Sequence, residues 1–233
     1  MLPIVIIAGG LATRLRPVTE TIPKSLIDIN GEPFVSHQLH LLRENGIKEV
    51  VMCLGYLGEK IVDFVGNGHQ FNLHVQYVFD GEKLLGTAGA IKKALSLLSE
   101  NFFVINGDSY LPCDYLAIQN AFFKLNKKAL MTVFRNENVG DMSNVEYVDG
   151  VIVNYDKQNR NDRMKYIDYG LEVFSQKAFE DLSDNQVCDL SVIYQKLIRE
   201  SQLAACEVKQ KFYENGSFSG IADLESYLQI ESV

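Results

Sequence analysis

Four aliphatic or aromatic runs, LPIVIIA, EVVMCLGY, LHVQYVF and NFFVINGDS, recur along the first half of the chain with helical stretches between them. This alternation constrains the fold more than any other feature. A strand that is apolar on both faces must be covered on both faces. Strands separated by a helix return parallel to one another through right-handed crossovers. The intervening segments have helical character. In EPFVSHQLHLLRENGI, Pro33 suits a first turn, Phe34, Leu39 and Leu42 lie broadly on one face, and Asn45-Gly46 supplies a left-handed stop. GEKIVDFVGNG and TAGAIKKALSLLSE read as further helices. The pattern predicts an α/β fold, a mainly parallel sheet between two helical layers.

The pattern changes after about Lys128. ALMTVFR, SNVEYV and VIVNYD are strands in close succession, and Asp149-Gly150 between the last two is a hairpin turn signal. KYIDYGLEVF adds a strand and DLSVIYQKLIRES a helix, while DKQNRNDRMK is the most polar stretch and reads as a mobile loop. Antiparallel strands are therefore expected beside the parallel set, in one mixed sheet. At 233 residues the chain can fill one sizeable α/β core, so a single domain over 1–233 is expected.

The formal net charge of −8 argues against general nucleic-acid binding, which needs a basic face. Phosphate binding stays open, because a few cations gathered in one cleft suffice. Cys53, Cys113, Cys188 and Cys206 are scattered and form no C-x-x-C pair, which favours reduced thiols in the cytoplasm over a metal centre. The run Leu2–Ala8 has no basic leader and is too short to span a membrane, and no longer apolar run follows. His37, His40, His69 and His74 have no carboxylate spacing that suggests catalysis.

The segment IVIIAGGLATRLRPVTETIPKSL carries the chemistry. Ligands in open α/β sheets sit beyond the carboxyl ends of the strands. There Gly9 and Gly10 let backbone N–H groups approach a ligand closely. Arg14 can fork onto two phosphate oxygens, Arg16 adds charge, and Lys24 adds a point charge after the stiffening Pro23. Neither G-x-x-x-x-G-K-[ST] nor G-x-G-x-x-G is present.

GGLATRLRPVTETIPKSL resembles the signature of the sugar-1-phosphate nucleotidylyltransferases, G-G-x-G-T-R-L-x-P followed by P-K, and further motifs recur in order along nearly the whole chain. The resemblance implies a Rossmann-like three-layer sandwich of the nucleotide-diphospho-sugar transferase type. Residues 1–128 would form the nucleotide-binding half and 129–233 the sugar-phosphate-binding half. Ala12 stands where glycine is usual, which argues against positive φ at that position. Arg14 and Lys24 are implied as catalytic; Ala8, Gly9, Gly10 and Thr13 as nucleotide-binding. LLGTAGAIKKAL is similar to the second nucleotide loop, with Gly86 close to the base and ribose and Thr87 capping the helix. Asp80 or Glu82 stands near a base-reading position. A carboxylate suits guanine's two donors, which favours GTP and leaves a uracil or thymine reader open.

FFVINGDSY implies Asp108 as a Mg²⁺ ligand, with Asn106 near the sugar phosphate. KFYENGSFSGIADLESYL matches the second metal turn with Glu214 in place of aspartate. VNYDKQ resembles the family's E-K-P, giving Asp156 to a sugar hydroxyl and Lys157 to its phosphate. YIDYGLEVF resembles the sugar-pocket strand, with Tyr169 and Gly170 at the site's edge. The implied partners are a nucleoside triphosphate and a sugar 1-phosphate, without nucleic acid or membrane, and self-association into a homo-oligomer stays open. The expected reaction is Mg²⁺-dependent formation of an NDP-sugar and pyrophosphate. Two alternatives stand beside it: cytidylyl transfer to a non-sugar phosphate, and a non-catalytic regulatory module of the same fold.

Overall fold

The alternation in the first half becomes β1 (Ile4–Ala8), the short pair β2 (Asp28–Ile29) and β3 (Glu32–Pro33), α1 (Phe34–Glu44), β4 (Glu49–Leu54), α2 (Gly58–Val65), β5 (His74–Phe79), α3 (Gly86–Ala94), β6 (Asn101–Asn106), β7 (Ser109–Tyr110) and α4 (Tyr115–Leu125). The second half contributes β8 (Ala129–Arg135), β9 (Val145–Val148), β10 (Val151–Tyr155), β11 (Tyr166–Ser175), α5 (Leu190–Arg199), β12 (Leu203–Val208), β13 (Tyr213–Glu214) and α6 (Phe218–Glu231). The computed structural model describes residues 1–136 and 142–231.

Among the described residues, nine strands form one sheet. Its main path runs β10-β9-β11-β6-β1-β4-β5, and β8 joins β11 to β12. β1 pairs in parallel with β4 and β6, and β4 in parallel with β5. β11 is antiparallel to both β6 and β8, so the antiparallel strands extend the parallel set within one sheet, as expected. Asp149 and Gly150 both take positive φ at the β9–β10 turn, the geometry that matches the twist of a tight hairpin.

The period of two sorts β1 between two cores. Ile4 and Ile6 join one cluster with Val35, Leu39, Ile61 and Tyr115, which come from α1, α2 and α4. Val5 points the other way, into a cluster with Ile91 of α3 and Ile193 of α5. Helices thus cover both faces, giving the three-layer sandwich. α6 lies elsewhere: Leu224 packs with Ile29, Phe34, Leu41 and Tyr110 in a third cluster. That docking sets the position of the turn just before α6. Among the described residues no helix is long and apolar enough to cross a membrane.

Candidate active site

The loops after β1 and β6 leave adjacent parallel strands at their carboxyl ends, where a site in this fold belongs. Gly107 must be glycine here, because a Cβ would fall 2.7 Å from Ala8 Cβ. The first loop folds as short 3₁₀ turns, Thr13–Leu15 and Lys24–Leu26 among them. Ala12, contrary to the expectation from its side chain, adopts φ 47 and ψ 44. That conformation costs about 1–2 kcal/mol for a residue with a Cβ. It persists because the Ala12 carbonyl accepts both Thr19 Oγ1 (2.8 Å) and the Leu15 N–H (3.2 Å).

Three chain segments converge beside this loop. Lys24 Nζ is ion-paired with Asp108 Oδ2. A Cβ added to Gly216 would overlap Glu214 Oε2 and would lie 2.8 Å from Arg14 Nη2 and 3.3 Å from Asp108 Oδ2. Arg14, Lys24, Asp108 and Glu214 therefore face one small region, although they are far apart in sequence. The Lys24 and Asp108 side chains are each 23% exposed, accessible but partly withdrawn from water.

Buried polar residues fix this arrangement, and sequence reasoning missed them. Asn215 is fully buried; its side chain donates to the Lys24 carbonyl (2.9 Å) and its N–H to the Asp108 carbonyl (3.0 Å). Gln38 of α1 donates to the carbonyls of Asn106 (2.9 Å) and Ser109 (2.7 Å). Ser25 donates to the Gly107 carbonyl at 3.2 Å. Ser25 and Asn215 lie within the motif segments, whereas Gln38 of α1 had no such signal.

The nucleotide-side residues group around the ends of β1, β4 and β5. Gly9 and Gly55 meet so closely that a Cβ on Gly55 would lie 2.6 Å from the Gly9 carbonyl. Gly55 was also missed, although a glycine directly after an apolar strand was the available signal. Gly10 has open space around it, and Thr13 is exposed. The Asp80 carboxylate lies near Gly9 and accepts the Leu85 N–H at 3.2 Å. Burial raises its pKa, against the opposing pull of that N–H and of Lys93. Gly86 takes φ +71, where a Cβ would lie 2.6 Å from the Cys188 carbonyl.

Thr87 corrects an expectation. α3 begins at Gly86 without a side-chain cap. The Thr87 hydroxyl instead accepts the Leu190 N–H (2.7 Å), capping the start of α5, and contacts Asp189 at 3.2 Å.

On the sugar-phosphate side, Gly170 lies beside the site. A Cβ there would be 3.7 Å from Ser109 Oγ and 3.8 Å from Asn106 Nδ2. Two expectations fail nearby. Tyr169 is 2% exposed, with its ring against Phe134 and Phe212, because strand alternation sends it into the core. The Asp156 carboxylate is turned back onto its own loop, accepting the N–H groups of Gln158 (2.7 Å) and Asn159 (2.8 Å). Lys157 is exposed, with its amine 5.8 Å from the Tyr155 ring centre. A residue not assigned before the structure, Glu172, is buried near Asp168, Lys157 and Tyr194. Burial foremost, then Asp168, raises its pKa well above the usual carboxylate range.

The donor set around Gly216 suits a hard divalent cation. Asp108 and Glu214 offer oxygen ligands, and Mg²⁺ is commonly held by one or two carboxylates with phosphate oxygens and water. No group of three or more His, Cys, Asp or Glu capable of holding a metal occurs among the described residues.

Comparison with known proteins yields related enzymes. The sequence model of the nucleotidyl transferase family matches residues 4–206. D-glycero-alpha-D-manno-heptose 1-phosphate guanylyltransferase of Campylobacter jejuni is 27% identical, with 91% of this chain and 93% of that protein aligned. The bifunctional protein GlmU of Methanococcus vannielii is 31% identical over 88% of this chain, which spans only 49% of that longer relative. The crystal structure of HddC from Yersinia pseudotuberculosis complexed with GMP-PN superposes with a TM-score of 0.82. It is 25% identical, and the match covers 98% of this chain and 100% of that one.

Proposed function

The chain belongs to the nucleotidyl transferase family, and from that premise we propose that it joins a nucleoside triphosphate to a sugar 1-phosphate, releasing pyrophosphate. Residues 1–233 act as one domain in this reading, and the reaction takes place in the cytoplasm. GTP with a heptose or hexose 1-phosphate is the favoured pair, supported by the guanylyltransferase relative aligned over nearly its full length.

The convergence of Arg14, Lys24, Asp108 and Glu214 around Gly216 carries the proposal. In the reaction an oxygen of the sugar phosphate attacks the α-phosphorus. The bond from that phosphorus to the bridging oxygen breaks, and the electron pair leaves with pyrophosphate. The attacking oxygen is already anionic, so no general base is required. The barrier lies in bringing two polyanions together, which calls for fixed positive charge.

Arg14 grips the triphosphate and steadies the departing pyrophosphate. The backbone at Gly9 and Gly10 gives the phosphates room. Lys24, ion-paired with Asp108, bridges the two reacting phosphates in this reading. Lys157, exposed in the second half of the chain, meets the incoming phosphate in this reading. Asp108 and Glu214 would hold Mg²⁺, which when bound offsets negative charge on the phosphates.

The test is a matrix of ATP, CTP, GTP, UTP and dTTP against heptose, hexose and aminosugar 1-phosphates, with inositol 1-phosphate and phosphocholine as non-sugar acceptors. Pyrophosphate release with Mg²⁺ is the readout. Release with GTP and a sugar 1-phosphate is the expected result. Turnover only with CTP and a non-sugar phosphate would replace the proposed acceptor, and silence across the matrix would refute catalysis.

A further inference from the structure

Glu214 does not extend freely from β13. Its carboxylate folds back over the turn that leads into α6. Oε2 accepts the Gly216 N–H at 2.5 Å, and Oε1 accepts the Ser217 hydroxyl at 2.6 Å. Ser217 Oγ itself accepts the Gly220 N–H at 3.0 Å, so its one proton is committed to Glu214. Ser219 Oγ, 3.2 Å away, must then donate to Ser217.

Two glycines make room for this fold-back. A Cβ on Gly216 would overlap Oε2. A Cβ on Gly220 would overlap Oε1 and would also lie 2.5 Å from the Glu214 backbone carbonyl oxygen, so the backbone alone already demands a glycine there. Neither glycine is among the positive-φ residues, so close approach rather than backbone conformation requires them. Ser217 alone would cap α6 through its bond to Gly220. The glutamate is therefore surplus to the helix cap, and its Oε2 stands beside Asp108 Oδ2 and Arg14 Nη2 around a single point.

We propose that Gly216, Ser217 and Gly220 form a mould for the Glu214 carboxylate, with Ser217 as the positioning residue that aims it, together with Asp108, at a divalent cation. The inference rests on the proposed function for the identity of the cation. Each carboxylate oxygen accepts one hydrogen bond in the mould and keeps lone-pair capacity for a metal.

The test uses the full chain and Mn²⁺ as probe, with free Mn²⁺ followed by electron paramagnetic resonance, alongside thermal melts. Ser217→Ala should weaken Mn²⁺ binding about 10-fold, in line with the 10- to 100-fold cost of losing a partner that orients a ligand. Ser217→Thr, which keeps the hydroxyl, should restore it. Glu214→Gln should lose this ligand's contribution. Wild-type Mn²⁺ affinity in Ser217→Ala would overturn the mould, whether or not its melting temperature falls. Failure of the wild type to bind millimolar Mn²⁺ would also overturn it. Pyrophosphate release in the substrate matrix is read separately, so loss of the mould and loss of the enzymatic assignment give different results.

Discussion

Lys24 and Asp108 come from loops 84 residues apart and meet in an ion pair that leaves both side chains partly accessible. Neither is needed to fill a core, so their loss should be felt in chemistry. Preorganised charge contacts of this kind are each worth about 2.7–4 kcal/mol in the transition state. Lys24→Ala and Asp108→Ala should therefore each lower kcat about 10²- to 10³-fold with an unchanged circular dichroism spectrum. A variant that turned over at the wild-type rate would remove that residue from the mechanism. Glu172 makes a different prediction, one about stability. It is 4% exposed, and burial together with neighbouring Asp168 raises its folded-state pKa, with Lys157 and Tyr194 pulling the other way. A carboxyl whose pKa is higher when folded binds its proton more tightly in the native state. Its stabilising contribution is complete below the ordinary glutamate range and is lost as pH rises through the elevated value. Urea midpoints of the wild type should fall over that window, and those of Glu172→Gln should fall less. Parallel curves for the two proteins would show that Glu172 does not control this loss.

At the scale of elements, the start of α3 is stitched to the segment before α5. Ala88 and Gly89 donate to the Cys188 carbonyl (3.0 and 3.2 Å), and the Cys188 N–H returns to Leu85 at 2.9 Å. Gly86 sits inside this exchange with positive φ and no space for a Cβ. Gly86→Ala should cost about 1–3 kcal/mol in urea unfolding and raise the KM for the triphosphate; unchanged stability would mean that the loop can relax. Elements with one clean period were legible in the sequence. ALMTVFR became β8 residue for residue, and the apolar runs became β1, β4, β5 and β6 within three residues at their ends. Beyond the two-residue strands, three elements went unread. α4 carries Leu116, Phe123 and Leu125 exposed beside its buried face, which blurs the helical stripe. β12, LAACEV, is rich in alanine, a weak strand former. α6 shows only a faint apolar face because it docks on a small satellite cluster. The site divided in the same way: side chains within motifs could be read, whereas Asn215 and Gln38 serve through tertiary contacts that no local pattern encodes.

Across the whole molecule, the second half supplies the strand that closes the first half's sheet. β11 pairs antiparallel with β6 from Leu171↔Ile105 to Ser175↔Asn101 while β8 pairs along its other edge. Both large clusters draw on both halves: Tyr169 and Leu171 pack with Ile4 and Ile6, and Phe174 packs with Phe102 and Val104. Neither 1–128 nor 129–233 can then bury its apolar surface alone, and one cooperative transition follows. The chain has no tryptophan and eleven tyrosines, so tyrosine fluorescence samples residues such as Tyr115 and Tyr194 on opposite faces of the sheet. Urea curves from fluorescence and far-ultraviolet circular dichroism should superimpose. Phe174 sharpens the test, since its ring meets Phe102, Phe179 and Tyr194 at 6.4, 5.2 and 6.0 Å between centroids. Phe174→Ala should remove about 3–5 kcal/mol and shift both curves together. If only one signal moved, or the wild type showed two midpoints, the halves would be unfolding independently and the shared sheet would not be what unites them.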